Sequence, residues 1–491
     1  MSNLSELLPS GGGSKTAEFV ASGTLPNGQS VILNANGTIT AVAGTSTSFP
    51  QAIPKGSQTK FVDGENTKAG AYFDPNVEGR LLITYNATSN DSYYLSAVIG
   101  TVSGSSISFG TPTQITEAFS NQDVSFDPNT SGQFIISYTI SASPYGAKVR
   151  VGTISGTSIS FGAATTATTF ETTALSVSCD PNTANKFILA VSSTSVGTAM
   201  IGTVSGTSIS LASSANFNGH TTTPVVRYNP ATANQVILSY VDNANSQYGT
   251  SVIGTVSGNS ISYATEYVYS SSSALGTLMD ASKTGIFVVA FGDSGKSIIG
   301  TISGTAISYG SVANFISAST QGIQVAFDPV TTNRFVVIYQ DSQNSNYGTA
   351  RVGTVSGTTI SYATKAAFVS GVTGSLVGLS FDPNASGMFA VAYSDNPNPR
   401  DGKAVISQLA ATVTGTNLTA TNFIGMPDKA YASGATATVA LEGGVSTNQT
   451  SLTIGSTYYV QPTGSLATSA GTPSVEAGKA ISATSLLLKG I

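Results

Sequence analysis

Gly-Thr-(Val/Ile)-Ser-Gly occurs six times in this chain, starting at Gly100, Gly152, Gly202, Gly254, Gly300 and Gly353. Each copy runs into a short Ser/Ile segment that mostly ends in Phe or Tyr. An aromatic-Asp-Pro triplet keeps register with it, at Phe73-Asp74-Pro75, Phe126-Asp127-Pro128, Phe327-Asp328-Pro329 and Phe381-Asp382-Pro383. Weaker copies read Cys179-Asp180-Pro181, Tyr228-Asn229-Pro230 and Met279-Asp280-Ala281, which makes seven copies spaced 48 to 54 residues apart. A repeat this long, written only in strand-like text, restricts the chain to a radial or stacked all-β array. One unit cannot bury its own apolar faces and must pack them on its neighbours.

The second copy shows how a unit is built. Val124-Ser125-Phe126 is a short strand ending at Asp127-Pro128-Asn129, where Pro sets φ for a turn and Asp and Asn side chains bond their own backbone. Phe134, Ile136 and Tyr138 then share one face with Ile135 on the other, the pattern of a strand covered on both sides. Val149 and Val151 mark a third strand, and after Gly156-Thr157 a fourth carries Ile159 and Phe161. Gly at the first of two turn residues fits a type II′ hairpin, which needs φ > 0 there. The unit is a four-stranded antiparallel meander of about 50 residues, the size of a β-propeller blade. Seven fit a closed ring. A parallel β-helix fits less well, since its rungs are shorter and do not return through tight hairpins. Closure must hide the open sheet edges. Two segments imitate the fourth strand, 45–50 before the first triplet and 412–418 after the last, and the sequence does not choose between them.

Apolar residues make up 40% of the 491, enough for a large core, while charged residues are only 9%. Ser, Thr, Asn and Gln must therefore solvate the surface, as in secreted and virion proteins. A net charge of −5 with 19 basic residues argues against nucleic acid as a partner, because phosphate binding needs clustered Lys and Arg. The single cysteine, Cys179, rules out an internal disulfide and a multi-cysteine metal site. No stretch approaches the ~20 apolar residues of a membrane span. The N-terminal text lacks the basic and apolar regions of a signal peptide, so synthesis in a cytoplasm without secretion is the expectation.

Outside the repeats, both ends hold short strand-like runs between Gly-rich turns. The text Ser22-Gly23-Thr24-Leu25-Pro26-Asn27-Gly28-Gln29 and Asn34-Ala35-Asn36-Gly37-Thr38 stands near the start. Near the other end stand Thr421-Asn422-Phe423-Ile424-Gly425-Met426, Gly455-Ser456-Thr457-Tyr458-Tyr459-Val460 and Ala477-Gly478-Lys479-Ala480-Ile481-Ser482-Ala483-Thr484-Ser485-Leu486-Leu487. Over about 110 residues these ends resemble a module of virion structural proteins from marine tailed bacteriophages. The resemblance implies a virion protein of the tail or fibre, with the propeller used for adhesion to host-surface polysaccharide. Capsid decoration, or a structural spacer, is the alternative. Other virion proteins, a host cell-surface glycan and further copies of the chain, as a trimer, are the implied partners. Neither end is large enough to hold a good core alone. The expected plan is thus an arm over 1–16, a small β-barrel or sandwich from 17–43 plus 411–491, and a seven-bladed propeller over 44–410 inserted within it.

Chemistry is sparse. A hydrolase needs a nucleophile with a base, or two placed carboxylates, yet His220 is the only histidine and sits in a polar loop. The triplet Asp recurs in six of seven copies, as a turn former does and a catalytic group rarely does. There is no Trp, which excludes a sialidase-type Asp box. No enzyme activity, cofactor or metal is expected. The loops joining strands two and three hold the polar and aromatic residues suited to sugars. Asp91 and Tyr93 in blade one, Asp341, Asn344 and Tyr347 in blade six, and Asp395, Asn398 and Arg400 in blade seven are the candidate ligand-binding set. Their blades become neighbours once the ring closes.

Overall fold

The turn between the first two strands of a repeat ends on a left-handed residue, and the chain places Gly or Asn there in every copy. Gly79, Gly132, Asn185, Asn234, Gly285, Asn333 and Gly387 have φ between 60° and 75°, a region that other residues rarely adopt. The Gly that opens the hairpin between strands three and four behaves as expected, with φ of 59° to 60° at Gly104, Gly156, Gly206, Gly258, Gly304 and Gly357. The first Gly of the repeated motif has a different task. Gly152 pairs directly with Phe134 across strands Gly146–Ser155 and Gln133–Ile140. A Cβ on Gly152 would lie 2.1 Å from that ring, and Gly202, Gly300 and Gly353 meet Phe187, Phe287 and Phe335 in the same way. The missing side chain is the seat of a core aromatic.

The computed structural model describes residues 15–46, 56, 58–64, 68–89, 92–117, 119–140, 145–273, 278–282, 284–292, 294–318, 320–395, 400–409, 414–462, 464–471 and 473–489. Two units result, one from residues 50–411 and one from 1–49 with 412–491. In the first, seven antiparallel blades follow one another, the last two joined through the strand Ala366–Phe381. Their innermost strands, Ala69–Phe73, Phe119–Phe126, Ala174–Cys179, Thr221–Tyr228, Leu278–Ala281, Gln324–Phe327 and the end of Ala366–Phe381, contact in sequence, and the seventh returns to the first. The chain is a seven-bladed β-propeller. Among the described residues helix is confined to two short 3₁₀ turns, and no helix is long and apolar enough to cross a membrane.

Three details differ from the sequence reading. The fourth strand is split: Ser158–Phe161 and then Thr165–Thr166 both pair with the third strand of blade two, and the first six blades share this pattern. Among the described residues closure comes from another segment; residues 47–50 and 412–413 of the imitating ones lie outside them. Gln58–Val62 pairs antiparallel with Gly402–Gln408 on blade seven, where buried Phe61 covers Gly402 as Phe217 covers Gly197 and Tyr269 covers Gly249 in other blades. Gly44–Ser46 and Thr414–Thr416 pair with each other instead. Thirdly, Met279-Asp280-Ala281 is not a triplet copy. Ala281 opposes Phe287 as Phe126 opposes Phe134, so Ser282 holds the Asp position and bonds Ile286 O as Asp127 bonds Gln133 O. Asp280 instead takes the place of Ser125, Ser178 and Ser380, whose hydroxyls accept the N–H of Cys179, Tyr228 and Phe73 in the next blade at 2.9 to 3.0 Å. Asp280 Oδ2 accepts from Phe327 N at 2.8 Å.

The other unit draws on both chain ends. One five-stranded sheet orders Thr16–Val20, Thr436–Ala440, Phe423–Pro427, Val31–Leu33 and Ile39–Ala41; a second orders Val445–Ser446, Leu486–Leu488, Glu476–Ala480, Thr457–Val460 and Leu466–Ala467. Ile32, Phe423 and Met426 of the first share one core with Tyr458, Val460 and Leu488 of the second. Interleaving the ends gives each enough partners to bury a core that neither could hold alone.

Two Gly→Ala substitutions separate packing from backbone effects. Gly152→Ala forces a methyl into the Phe134 ring, a strain of about 1 to 3 kcal/mol. Gly156→Ala has open space and carries only the left-handed penalty of about 1 kcal/mol. Chemical denaturation should rank Gly152→Ala as the more destabilised; the reverse order would contradict the seating role of this Gly.

Candidate functional site

The 2–3 loops of blades four and six are one design. Their shared text is Asp-x-x-Asn-Ser-(Gln/Asn)-Tyr-Gly, at 242–249 and 341–348. In blade six Asp341 caps the 3₁₀ turn Ser342–Asn344, its Oδ1 accepting from Gln343 N at 3.1 Å. Its Oδ2 accepts from Lys365 Nζ at 2.7 Å. Asp242 caps Asn243–Asn245 likewise, accepting from Ala244 N at 3.0 Å and Asn245 N at 3.2 Å. Two left-handed residues follow in each, Ser246 and Gln247, or Ser345 and Asn346, with φ of 51° to 60°. The chain then enters the third strand at Tyr248 or Tyr347. Short-range carboxylate caps and left-handed residues leave such a loop few alternative shapes.

This geometry sorts the sequence-derived candidates. Asn344 is exposed at the loop tip and Tyr347 is half-buried at its exit. Asp341 is fully buried, and its carboxylate holds the loop together, so it is a positioning residue and no ligand contact. Asp395 bonds Asp401 through its backbone and pairs with Lys403 through its carboxylate, which ties the base of the blade-seven loop. Arg400 is exposed. Tyr93 lies on strand Ser92–Ser103, opposite Thr88. Asp91, Asn398 and the side chain of Tyr93 fall outside the described residues. The described candidates thus gather in blades six and seven, while Asn245 and Tyr248 of blade four belong with them by design. The shared eight-residue text was the signal for that pair.

A second feature lay outside the sequence reading. The inner strands of all seven blades line a central cavity of about 900 Å³. Arg227 of blade four stands between Asp123 of blade two and Asp280 of blade five, at 3.9 and 4.0 Å. Asp123 accepts from Ser176 Oγ and Val177 N, both at 2.9 Å. Burial pushes both carboxyls above the usual range, with the Arg227 charge opposing it. These three residues come from different repeats, and no local pattern joins them. His220 lies apart, bonding Asn218 and Asn243 through its backbone. Among the described residues no group of three His, Cys, Asp or Glu side chains is placed to hold a metal ion.

No family model matches the chain, and no curated protein matches it. Among solved structures, the BP39L lectin from Burkholderia pseudomallei is similar at a TM-score of 0.54 and 11% identity, over 72% of this chain and 98% of the lectin. A Lactobacillus plantarum protein matches at 0.46 and 10% identity, over 73% and 95%. Sqt1 from Chaetomium thermophilum, bound to the N-terminus of the ribosomal protein L10, matches at 0.45 and 12%, over 69% and 86%. At such identities the likeness is one of fold, and it rests on the lectin.

The raised carboxyls give a pH test. A carboxyl whose folded pKa exceeds its unfolded value of about 3.9 binds its proton more tightly in the fold. Its contribution is therefore most favourable at low pH and is lost as pH rises through that window. Asp280→Asn removes the loss while keeping an oxygen for Phe327 N. The stability of the variant relative to the parent should climb from about pH 4 towards neutrality; parallel curves would show that Asp280 is not held above its ordinary range.

Proposed function

We propose that this chain is a non-enzymatic adhesion protein of a phage virion, in the tail or fibre, whose propeller binds host-surface polysaccharide through its 2–3 loops. The duplicated, pre-shaped loop of blades four and six carries this reading. Each copy offers an exposed Asn amide, which supplies both a donor and an acceptor to sugar hydroxyls, beside a Tyr whose ring can stack on a sugar face. A loop already fixed by its Asp cap loses little freedom on binding. The shared fold with a lectin supports a sugar-binding role, and the text of the two chain ends supports the virion setting.

Each contact is weak, since aromatic stacking contributes about 1 kcal/mol. Attachment would then depend on many copies acting together. In purified full-length chain, Tyr248→Ala with Tyr347→Ala should lower the affinity for host polysaccharide by about tenfold or more, the product of two such losses. Asn245→Ala with Asn344→Ala, at exposed positions, should weaken binding with the unfolding free energy within about 0.5 kcal/mol of the parent. Undiminished binding in both double variants would rule out these loops. Reducing-sugar release from the polysaccharide would instead identify an enzyme.

A further inference from the structure

We propose that the central cavity of the propeller is a second binding site, separate from the loops, for a neutral hydroxyl-rich small molecule of monosaccharide or polyol class. Three observations converge on it. The first is unsatisfied hydrogen-bonding capacity. Both polar atoms of the Gln122 side chain and the Thr223 hydroxyl are buried without a partner, and both residues line the cavity. Buried polar groups are rarely left so. Arg227 donates through Nη1 to Val226 O at 2.8 Å and Ser176 Oγ at 3.2 Å, while its Nε faces Asp280 Oδ1 at 4.0 Å, beyond hydrogen-bond distance.

The second observation is local backbone distortion at the same residues. Ser120 and Asn121 stand opposite the single residue Thr139 in a bulge that ends at Gln122. Thr223 and Pro224 stand opposite Tyr240 in a bulge of blade four. Thr223 has φ of 48°, a conformation that a β-branched residue adopts only under constraint. Bulges re-aim side chains and concentrate next to functional sites. Here two of them occur on innermost strands, at two residues that line one cavity and hold unpartnered polar groups.

The third observation is charge, which selects the ligand class. Asp123, Arg227 and Asp280 are the charged residues among the described lining. A carboxylate ligand would meet two carboxylates beside the guanidinium it sought, and a cation would meet the guanidinium between them. A neutral ligand whose hydroxyls both donate and accept suits the gap between Arg227 Nε and Asp280 Oδ1, 4.0 Å apart, and a two-way amide on Gln122. The cavity volume of about 900 Å³ lies within the ordinary range for small-molecule sites.

The test uses full-length protein, with glucose, galactose and glycerol as probes and acetate and choline as charged comparators, read by saturation-transfer NMR. Saturable binding of at least one neutral probe is expected, with affinity reduced about tenfold in Gln122→Leu and in Thr223→Val. Gln122→Leu removes a buried unpartnered amide, so its thermal midpoint should equal or exceed that of the parent. The loop variant carrying Tyr248→Ala and Tyr347→Ala should retain cavity binding, which separates this site from the adhesion surface. Preference for acetate or choline, no saturable binding by any neutral probe, or unchanged affinity in both cavity variants would each overturn the proposal.

Discussion

Seven blades hold their shape only because the last is bonded to the first. At the turn face Asp382 Oδ2 of blade seven accepts the N–H of Gly79 in blade one at 2.7 Å. The same bond runs from Asn185 N to Asp127 Oδ2 between blades three and two, also at 2.7 Å. Asn384 Nδ2 reaches Asp74 O at 3.3 Å as Asn129 Nδ2 reaches Asp180 O at 3.1 Å, and Phe73 N closes the inner ladder on Ser380. Asp127 and Asp382 therefore shape their own turns and also join neighbouring blades. Asp74 and Asp328 instead accept from Arg80 and Arg334 of their own blades, a charge-assisted contact that fixes the turn. Closing the ring removes the edges that an open array would present to other chains.

How much of this was legible depends on the range of the interactions. Turn chemistry is local: Gly156 and the Asp127-Pro128 turn announce themselves within four residues, so blade number and strand order could be read. The split of the outer strand could not, because no one residue announces it: the position after its first half is Gly162 in blade two but Ala212 in blade three. Closure by Gln58–Val62 was hidden because the segment does not imitate the Ser-Ile-Ser-Phe text. It replaces the second half of the split strand, whose only signature is one buried aromatic such as Phe61 or Phe217. Asp280 was misplaced because blade five has a shorter turn, from Ser282 to Ile286, and lacks the Asp-Pro pair altogether.

The candidate surface shows the same division. Asn344 and Tyr347 were chosen by residue type alone, whereas the buried role of Asp341 follows from Lys365, 24 positions away. Asp123, Arg227 and Asp280 meet only because the ring brings blades two, four and five to one axis. A repeat protein spends its template on the fold, and what departs from the template is free to bind. Here the departures are of two kinds, loops between outer strands and bulges on inner ones. The first carries the proposed adhesion surface and the second the proposed cavity site.

Both depend on a closed ring, so closure is the claim to test first. Thr59 and Ala404 are direct antiparallel partners between the entering strand and blade seven. Such pairs lie at Cα separations of about 4.5 to 5.5 Å, within reach of a disulfide. Cysteines at both positions should oxidise to an intramolecular bond in the folded protein, leaving buried Cys179 reduced, and should raise unfolding stability by about 2 to 4 kcal/mol. Two thiols that stay free and separately reactive in the native protein would show that this strand does not close the ring.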